Sequence, residues 1–544
     1  MKITSWKKDK AFLFGLAIIS LPIIFFIAYL SRHLTFVCDD FGYSIGNTVF
    51  EAFTRDTHGR GYIGFFLNQF FSFNLPILLN IHPGDFTGIW HGVIKGLFTV
   101  LTLLVISNFS TFYNKNRKIY FSFFCVISLY FFVSVITASS YVLEFSYNFY
   151  RYVFSILFLC IFGNYIYKHT LIKYKKTNYL KLFGVSISGF IVGTSIEISF
   201  YASLLLGTLL VSYNLLLGFI QKIKKSNKIN DIMLNIDRNF YIPFLSLVTG
   251  ILFFTSQSGY KDIARDRGME NINLSVEVLK EFFNEYFQVC FKHEFVYWLI
   301  FIPCIITCFY IARKRNKLKK FVFPILYLFS ILTTMFSLVL CGKTNVDMSH
   351  PLFEPFGYWI THNNIIFLYK ILLLIPLLIC ISYILKKGKN KKIIICSLFF
   401  VLMLFAVYKT NPFQELIYKS NGHYYSKQGN YVIEKMVRFN YLNNKEIKMQ
   451  MLQKNIKDFN YVYDMDLYFK TYIRRVYKDI DTTKITYDLV DNAVENFVKS
   501  GGAISKTELE NVKFQDLYTT NLQELNKSYN DNVSIEEILD ILEN

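Results

Sequence analysis

The first long apolar stretch of the chain is AFLFGLAIISLPIIFFIAYL, residues 11–30. It carries no charge and is long enough for a helix to cross the hydrocarbon core of a bilayer. Lys7, Lys8 and Lys10 precede it and no small-residue cleavage site follows, which favours a retained signal-anchor helix. Ten further apolar runs follow, at about 88–110, 119–138, 150–167, 182–198, 200–220, 241–256, 295–312, 321–341, 364–385 and 393–408. The sequence therefore predicts an all-α polytopic membrane protein with eleven transmembrane helices.

The composition of the 544-residue chain agrees with this prediction. Hydrophobic residues make up 53% of the chain, which excludes a disordered protein. Charged residues make up only 18%, and the 58 Phe and 39 Tyr are far more than an ordinary soluble enzyme contains. The net charge of +19 would also suit a nucleic-acid-binding protein, so the positions of the charges decide between the two classes.

The basic residues alternate with the predicted crossings. The N-terminus and every second connection after it hold 28 basic and 3 acidic residues, a net charge of +25. The rest of residues 1–408 has a net charge of −4, and residues 409–544 have −2. The basic segments are 1–10, 113–118, 168–181, 221–239, 313–320 and 386–392. This pattern predicts that these segments and the N-terminus are cytoplasmic and that the C-terminal tail is outside, and it removes the case for nucleic-acid binding.

Two domains follow from this topology. Residues 1–408 form the transmembrane domain, with a first outer loop over residues 31–87. Residues 62–80 within that loop are apolar, but a span there would invert the later loops, so they predict a re-entrant or interfacial helix broken by Pro76. Residues 409–544 predict a small, mostly helical extracytoplasmic domain, with helical periodicity over about 445–478 and a turn at Gly501–Gly502.

An acidic pair follows the first predicted span, in FVCDDFGYS at residues 36–44. Asp39 or Asp40, at the outer surface, could deprotonate a hydroxyl or hold a metal ion. The alternative is a capping pair that opens a short helix. Arg60, between two glycines at the start of the re-entrant segment, has the planar donor geometry that suits a phosphate.

This arrangement resembles the C-type (GT-C) glycosyltransferases, and most closely the bacterial O-antigen glucosyltransferase type. In those enzymes an Asp-Asp-x-x-Tyr-like motif precedes a Gly-Arg pair, which Asp39, Asp40 and Tyr43, then Gly59 and Arg60, match here. The resemblance implies a polyprenyl-phosphate sugar as donor, a surface glycan or glycolipid as acceptor, and a bacterial cytoplasmic membrane with the active site outside. It also implies that Asp39 or Asp40 is the general base.

Further candidate residues lie at the predicted outer surface or inside spans. Lys95 lies within the second span about two turns from its outer edge, and an intramembrane charge of this kind predicts a role, here in binding the donor phosphate. The other candidates for contacts with donor or acceptor are Glu144, Arg151, Glu197, Lys261, Arg265 and Arg267. Each of these could instead be an ordinary loop charge, and Asp262 and Asp266 could neutralise the last three locally.

The sequence leaves alternatives for function and cofactor. A transporter of polysaccharide or lipid-linked glycan would need a charged path through several spans, of which only Lys95 and Lys370 are clear members. A surface-polysaccharide polymerase would instead carry paired arginines in late outer loops. The sugar, the acceptor and a need for a divalent cation such as Mg²⁺ or Mn²⁺ stay open, because no third ligand accompanies the Asp pair.

Overall fold

The computed structural model describes most of the first half of the chain. The described residues are 2–32, 62–108, 117–130, 149–171, 178–195, 197–224 and 233–256, together with short pieces between residues 280 and 505.

The described part of the first half is a bundle of helices. Two short π-helical segments interrupt it, and both continue directly into an α-helix. In chain order the elements are α1 (Lys2–Ser31), α2 (Tyr62–Gln69), π1 (Phe70–Asn74), α3 (Leu75–Leu78), α4 (Pro83–Thr87), α5 (Ile89–Ser107), α6 (Arg117–Tyr130), π2 (Tyr150–Phe154), α7 (Ser155–Leu171), α8 (Tyr179–Gly193), α9 (Glu197–Lys224) and α10 (Arg238–Thr255).

Four helical segments in the described residues are long and apolar enough to cross a membrane. They are Phe12–Tyr29, Ile89–Ser107, Ser199–Ile223 and Arg238–Thr255. Helices also occupy, wholly or in part, the other three of the first seven predicted spans. These helices indicate a membrane protein. The four later predicted spans lie wholly or largely outside the described residues, so the total of eleven stays a prediction.

Two glycines bring α1 and α5 into close contact. Gly92 and Gly96 are four residues apart and therefore lie on the same face of α5. A Cβ atom on Gly92 would lie 2.7 Å from the Cα of Ala28 and from the Cβ of Ser31, and one on Gly96 would lie 2.8 Å from the Cα of Ile24. Small residues at this spacing let helix backbones approach each other, which is how helices commonly associate in a membrane.

Gly189 and Gly193 of α8 and Gly250 of α10 bring these two helices into close contact, although α9 lies between them in the sequence. A Cβ atom on Gly189 would lie 2.6 Å from the carbonyl oxygen of Pro243. A Cβ atom on Gly193 would lie 3.0 Å from the carbonyl carbon of Gly250, and one on Gly250 would lie 2.5 Å from the carbonyl oxygen of Phe190. Because these contacts are with backbone atoms, a larger side chain here has no flexible neighbour to displace.

The C-terminal end of α7 meets the N-terminal end of α10 through a buried histidine. His169 Nε2 lies 2.6 Å from Asp237 Oδ1, and Asn235 Nδ2 donates to the His169 carbonyl oxygen at 3.3 Å. Asp237 also caps α10, since its carboxylate accepts from the backbone N–H of Asn239 at 2.8 Å. Burial alone would raise the pKa of Asp237, but the hydrogen bonds from Asn239 and His169 and the charge of His169 outweigh it, and the pKa is lowered.

Asn214 makes a second connection at the same end of the bundle. Its side chain donates to the Leu234 carbonyl oxygen at 2.7 Å and accepts from the Leu234 amide at 2.8 Å. Leu234 and Asp237 lie in segment 221–239 and His169 lies in segment 168–181, two of the segments that the charge pattern assigns to one side of the membrane. The structure thus brings these two segments together.

The prediction that Pro76 breaks the apolar helix of residues 62–80 is wrong. The helix continues through π1 and past the proline to Leu78. In π1 the N–H of Leu75 bonds to the carbonyl oxygen of Phe70, five residues back. Proline has no N–H to place in the hydrogen-bond ladder, and its ring clashes with the carbonyl four residues back in a regular α-helix. The wider π turn directly before Pro76 accommodates the ring within a continuous helix.

The helix ends two residues after Pro76 in a left-handed cap. Asn80 has φ 56°, and its N–H donates to the carbonyl oxygen of Ile77 at 3.2 Å. The N–H of Ile81 donates to the Pro76 carbonyl oxygen at 2.9 Å, which completes a Schellman motif. The chain then turns through α4 into α5.

In the C-terminal tail the structure describes a pair of parallel strands, β1 (Ile447–Leu452) and β2 (Ile485–Val490). The helix predicted over about 445–478 is therefore wrong for residues 447–452. The sequence IKMQML has the period of two that fits a strand, and its backbone groups pair with a segment more than thirty residues further on, in a register that joins Ile447 to Ile485. Local periodicity does not reveal such a partner.

The turn predicted at Gly501 is confirmed, since this glycine has φ 90°. The remainder of the predicted tail domain lies largely outside the described residues, so a mostly helical domain over residues 409–544 stays a prediction.

Candidate functional site

The C-terminal end of α1, which precedes the predicted first outer loop, packs against the start of α5. A Cβ atom on Gly88, directly before α5, would lie 2.7 Å from the carbonyl oxygen of Arg32. The guanidinium carbon of Arg32 lies 3.7 Å from the ring centroid of Tyr29, and Nη1 donates to the Tyr29 carbonyl oxygen at 2.8 Å. Arg32, the last described residue of this segment, therefore lies beside the N-terminal end of α5.

That N-terminal end carries two buried polar side chains, His91 and Lys95. They lie one helical turn apart on the same face of α5, and both have a relative exposure of 0%. Placing an ammonium group inside a membrane helix costs at least about 2.5–3.5 kcal/mol, so such residues usually mark a functional site. Lys95 is therefore the strongest candidate for function in the described part of the chain.

A tyrosine from π2 contacts His91. The Nε2 atom of His91 lies 2.6 Å from the hydroxyl oxygen of Tyr150, and both side chains are fully buried. Phe71 stacks on Tyr150 with ring centroids 5.5 Å apart, and Phe98 packs edge-on at 6.3 Å. The His91–Tyr150 pair is thus enclosed by aromatic rings from π1 and α5.

The ammonium group of Lys95 lies near the ring of Phe149, which packs against Tyr150. Its Nζ atom is 5.9 Å from the ring centroid of Phe149, within the range of a cation–π contact. Thr99 lies one further turn along α5, and its hydroxyl is buried with no hydrogen-bond partner among the described residues. His91, Lys95 and Thr99 therefore form a polar stripe along one face of α5.

Polar side chains also lie in the helix formed by α2 and π1, which packs against π2. Asn68, Gln69 and Ser72 are buried, and the Ser72 hydroxyl donates to Asn68 Oδ1 at 2.9 Å. The Nδ2 group of Asn68 has no hydrogen-bond partner among the described residues. A buried amide without a partner is costly in an apolar surrounding, and a polar ligand would satisfy it. We call His91, Lys95, Thr99, Tyr150, Asn68 and Ser72 the polar cluster.

The structure places three of the residues that the sequence singled out. Lys95 belongs to the polar cluster. Arg151 follows Tyr150 in π2, so its backbone lies beside the cluster. Glu197 is the first residue of α9, and its predicted place on the outer side stays a prediction. The other predicted site residues lie outside the described residues: Asp39, Asp40, Tyr43, Arg60, Glu144, Lys261, Arg265 and Arg267.

Sequence reasoning missed Tyr150, Asn68 and Thr99. The partner of Tyr150 is 59 residues away in sequence, and polar residues such as Asn68 and Thr99 within apolar helices are common. The one usable signal was that Asn68, Gln69 and Ser72 interrupt an apolar run at helical spacing.

In the part of the chain that the structure describes, no group of three or more His, Cys, Asp or Glu side chains could hold a metal ion. The chain matches no protein-family model, no curated protein and no solved structure.

Proposed function

We propose that the chain is an integral-membrane glycosyltransferase of the GT-C type. It would move a sugar from a polyprenyl-phosphate carrier to a surface glycan or glycolipid on the outer side of a bacterial cytoplasmic membrane. The observation that carries the proposal is the fully buried Lys95 beside the His91–Tyr150 pair. This cation lies about two turns into α5, whose N-terminal end contacts Arg32, seven residues before Asp39 in the sequence.

The reaction needs a base and a site for an anionic leaving group. An acceptor hydroxyl attacks the anomeric carbon of the donor sugar, and the bond from that carbon to the phosphate oxygen breaks. Asp39 or Asp40 takes the hydroxyl proton, and the electron pair of the broken bond leaves with the polyprenyl phosphate. Direct displacement inverts the anomeric centre. No nucleotide takes part, which agrees with the absence of a long segment among the predicted cytoplasmic loops.

The leaving phosphate gains negative charge, so cations near it stabilise the transition state. Lys95 would supply one such charge from its buried position within α5. Arg60 and the cluster Lys261, Arg265 and Arg267 would supply others from the outer loops. Tyr43, Glu144, Arg151 and Glu197 are proposed to contact the sugar or the acceptor.

Asn68 and Thr99 support this reading of the site. Both present a buried polar atom with no partner among the described residues, in helices that carry the polar cluster. Amide and hydroxyl groups bind sugar hydroxyls and phosphate oxygens well. The rings of Phe71 and Phe98, which pack on Tyr150, give the cluster apolar walls that would exclude water from a glycosyl phosphate.

The test is sugar transfer by the full-length protein in liposomes. Radiolabelled polyprenyl-phosphate hexoses serve as donors and a cell-envelope fraction serves as acceptor, with and without EDTA to detect a need for Mg²⁺ or Mn²⁺. Asp39→Asn and Asp40→Asn should abolish transfer while protein level is preserved, because neither amide can take the proton. Undiminished transfer by both variants would refute the assignment.

Lys95→Met tests the membrane-embedded cation. Losing a charged hydrogen bond to phosphate should lower kcat/KM for the donor about 10- to 100-fold. Lys222→Met, which removes an exposed lysine of α9, should leave kcat/KM unchanged. Equal kcat/KM for Lys95→Met and wild type would remove Lys95 from the donor site. A labelled donor that crosses the bilayer uncleaved would instead favour a transporter.

A further inference from the structure

A groove lies on the surface of the bundle between α8 and α10, and no residue of the polar cluster lines it. It has a volume of about 460 Å³. Its walls are aromatic and aliphatic side chains, with a serine from each helix among them. The lining residues are Tyr179, Leu182, Phe183, Ser186, Ile187, Phe190, Ile242 and Ser246.

The outer walls of the groove face away from the protein. Tyr179 is 73% exposed and Phe183 is 65% exposed. Ser186 donates its hydroxyl to the carbonyl oxygen of Leu182 at 2.9 Å, so its polar group is satisfied within α8. Since α10 is apolar enough to cross a membrane, lipid surrounds such a groove, and an acyl chain matches its apolar walls.

A basic residue of α10 lies one helical turn before the groove residue Ile242. Arg238 is the first residue of α10, and it shares a helical face with Ile242 and Ser246 because the three are four residues apart. Arg238 is exposed, and guanidinium groups bind phosphate oxygens in a bidentate manner. An acyl chain lying between α8 and α10 would therefore bring its headgroup to Arg238.

The surrounding sequence favours an anionic headgroup. Segment 168–181, which leads into α8, has five lysines and no acidic residue. Segment 221–239, which leads into α10, has five basic and two acidic residues. Clustered basic residues at the membrane surface attract anionic lipids, at about 1 kcal/mol for each Lys or Arg.

We infer that this groove is a binding site for an anionic phospholipid, with one acyl chain between α8 and α10 and the phosphate at Arg238. This site is independent of the proposed transferase activity. The lipid would cover the exposed rings of Tyr179 and Phe183 and would add contacts along the interface that Gly189 and Gly193 form. It would therefore stabilise the α8–α10 pair.

Native mass spectrometry of the detergent-purified full-length protein tests the inference, with phosphatidylglycerol or phosphatidylcholine of the same acyl chains added. We expect one phosphatidylglycerol to be retained at least about fivefold more tightly than phosphatidylcholine, the ratio that one basic contact provides. Arg238→Gln should remove this preference, whereas Lys280→Gln, at an exposed lysine outside these two basic segments, should keep it. Equal retention of the two lipids by the wild type would overturn the inference.

A second variant tests the groove itself. Ser246→Trp would fill the groove and should abolish retention, while Leu245→Trp, at a residue that is exposed but outside the lining, should retain the lipid. Phosphatidylglycerol with a diazirine in its acyl chain should cross-link to α8 or α10 in the wild type and not in Ser246→Trp. Cross-links confined to other helices would show that the lipid binds elsewhere and would refute the site.

Discussion

The glycine contact between α8 and α10 makes a quantitative prediction about stability. In Gly189→Ala the new methyl group would lie 2.6 Å from the carbonyl oxygen of Pro243 and 3.2 Å from the ring of Phe162. The ring could turn, but the carbonyl belongs to the backbone of α10. Ordinary contact begins at 3.4 Å, so the two helices must separate by roughly 0.8 Å at this point.

The magnitude follows from two opposing effects. Overpacking of a close interface costs about 1–3 kcal/mol. Replacing a helical glycine by alanine contributes up to about 1 kcal/mol in the opposite direction. Gly184→Ala, on the same helix, has only the favourable change in helix propensity, because nothing lies within 4 Å of its Cβ position. We therefore expect Gly189→Ala to be less stable than Gly184→Ala by about 1–3 kcal/mol.

The assay is unfolding of the purified protein in mixed micelles by titration with SDS, followed by far-UV circular dichroism. The difference between the two alanine variants isolates the steric contact, since both carry the same change in helix propensity. If Gly189→Ala proved as stable as Gly184→Ala, or more so, the close approach of α8 and α10 would be wrong.

Two further predictions concern the end of the bundle where α7 meets α10. Asp237→Asn loses the charge that faces His169 but keeps an oxygen that can cap α10, whereas Asp237→Ala loses both. Asp237→Ala should therefore be less stable than Asp237→Asn by about 0.5–2 kcal/mol in the same titration. Because the pKa of Asp237 is lowered in the folded state, the charged carboxylate contributes to stability at neutral pH, and this contribution is lost as the pH falls through the lowered pKa. The stability difference between wild type and Asp237→Asn should therefore shrink in this acidic range. A difference that stays constant with pH would contradict the pairing of Asp237 with His169. Asn214→Leu leaves the N–H and C=O of Leu234 without their side-chain partner, at a cost of about 1–3 kcal/mol. Hydrogen exchange of the Leu234 amide should become faster in this variant, but not in Ser212→Ala on the exposed face of α9. Unchanged exchange in Asn214→Leu would refute the role of Asn214.

The sequence predicted the helices well where the signal is local. An apolar run of sufficient length identifies a helix from its own composition, and this placed helices in the first seven expected spans. The prediction at Pro76 failed because the compensating π turn depends on backbone geometry that composition does not encode. The prediction at residues 447–452 failed because the partner strand lies far along the chain.

The spacing of glycines in the sequence indicates which helix faces make close contacts, although hydropathy alone does not. Gly92 and Gly96, and Gly189 and Gly193, both have the Gly-x-x-x-Gly spacing that marks close helix contacts in membranes. The spacing identifies the face of contact but not the partner helix, and here the partner of α8 is the second helix after it.

The candidate site was predictable only in part. Lys95 could be singled out because a charge inside an apolar run is rare and costly. The hydroxyl that contacts His91 could not, because Tyr150 is one of 39 tyrosines and lies on another helix. Its position depends on how π2 packs against α5, which is a property of the assembled bundle.

The pairing of α8 with α10 also sets an order for assembly during synthesis. The chain is made from its N-terminus, so α8 and α9 enter the membrane while α10 is still inside the ribosome. During that interval Gly189 and Gly193 have no Pro243, Leu247 or Gly250 against them, and the glycine face of α8 meets lipid or a temporary neighbour. This half of the bundle can therefore close only after Thr255 has been made, when α10 docks and Asp237 reaches His169.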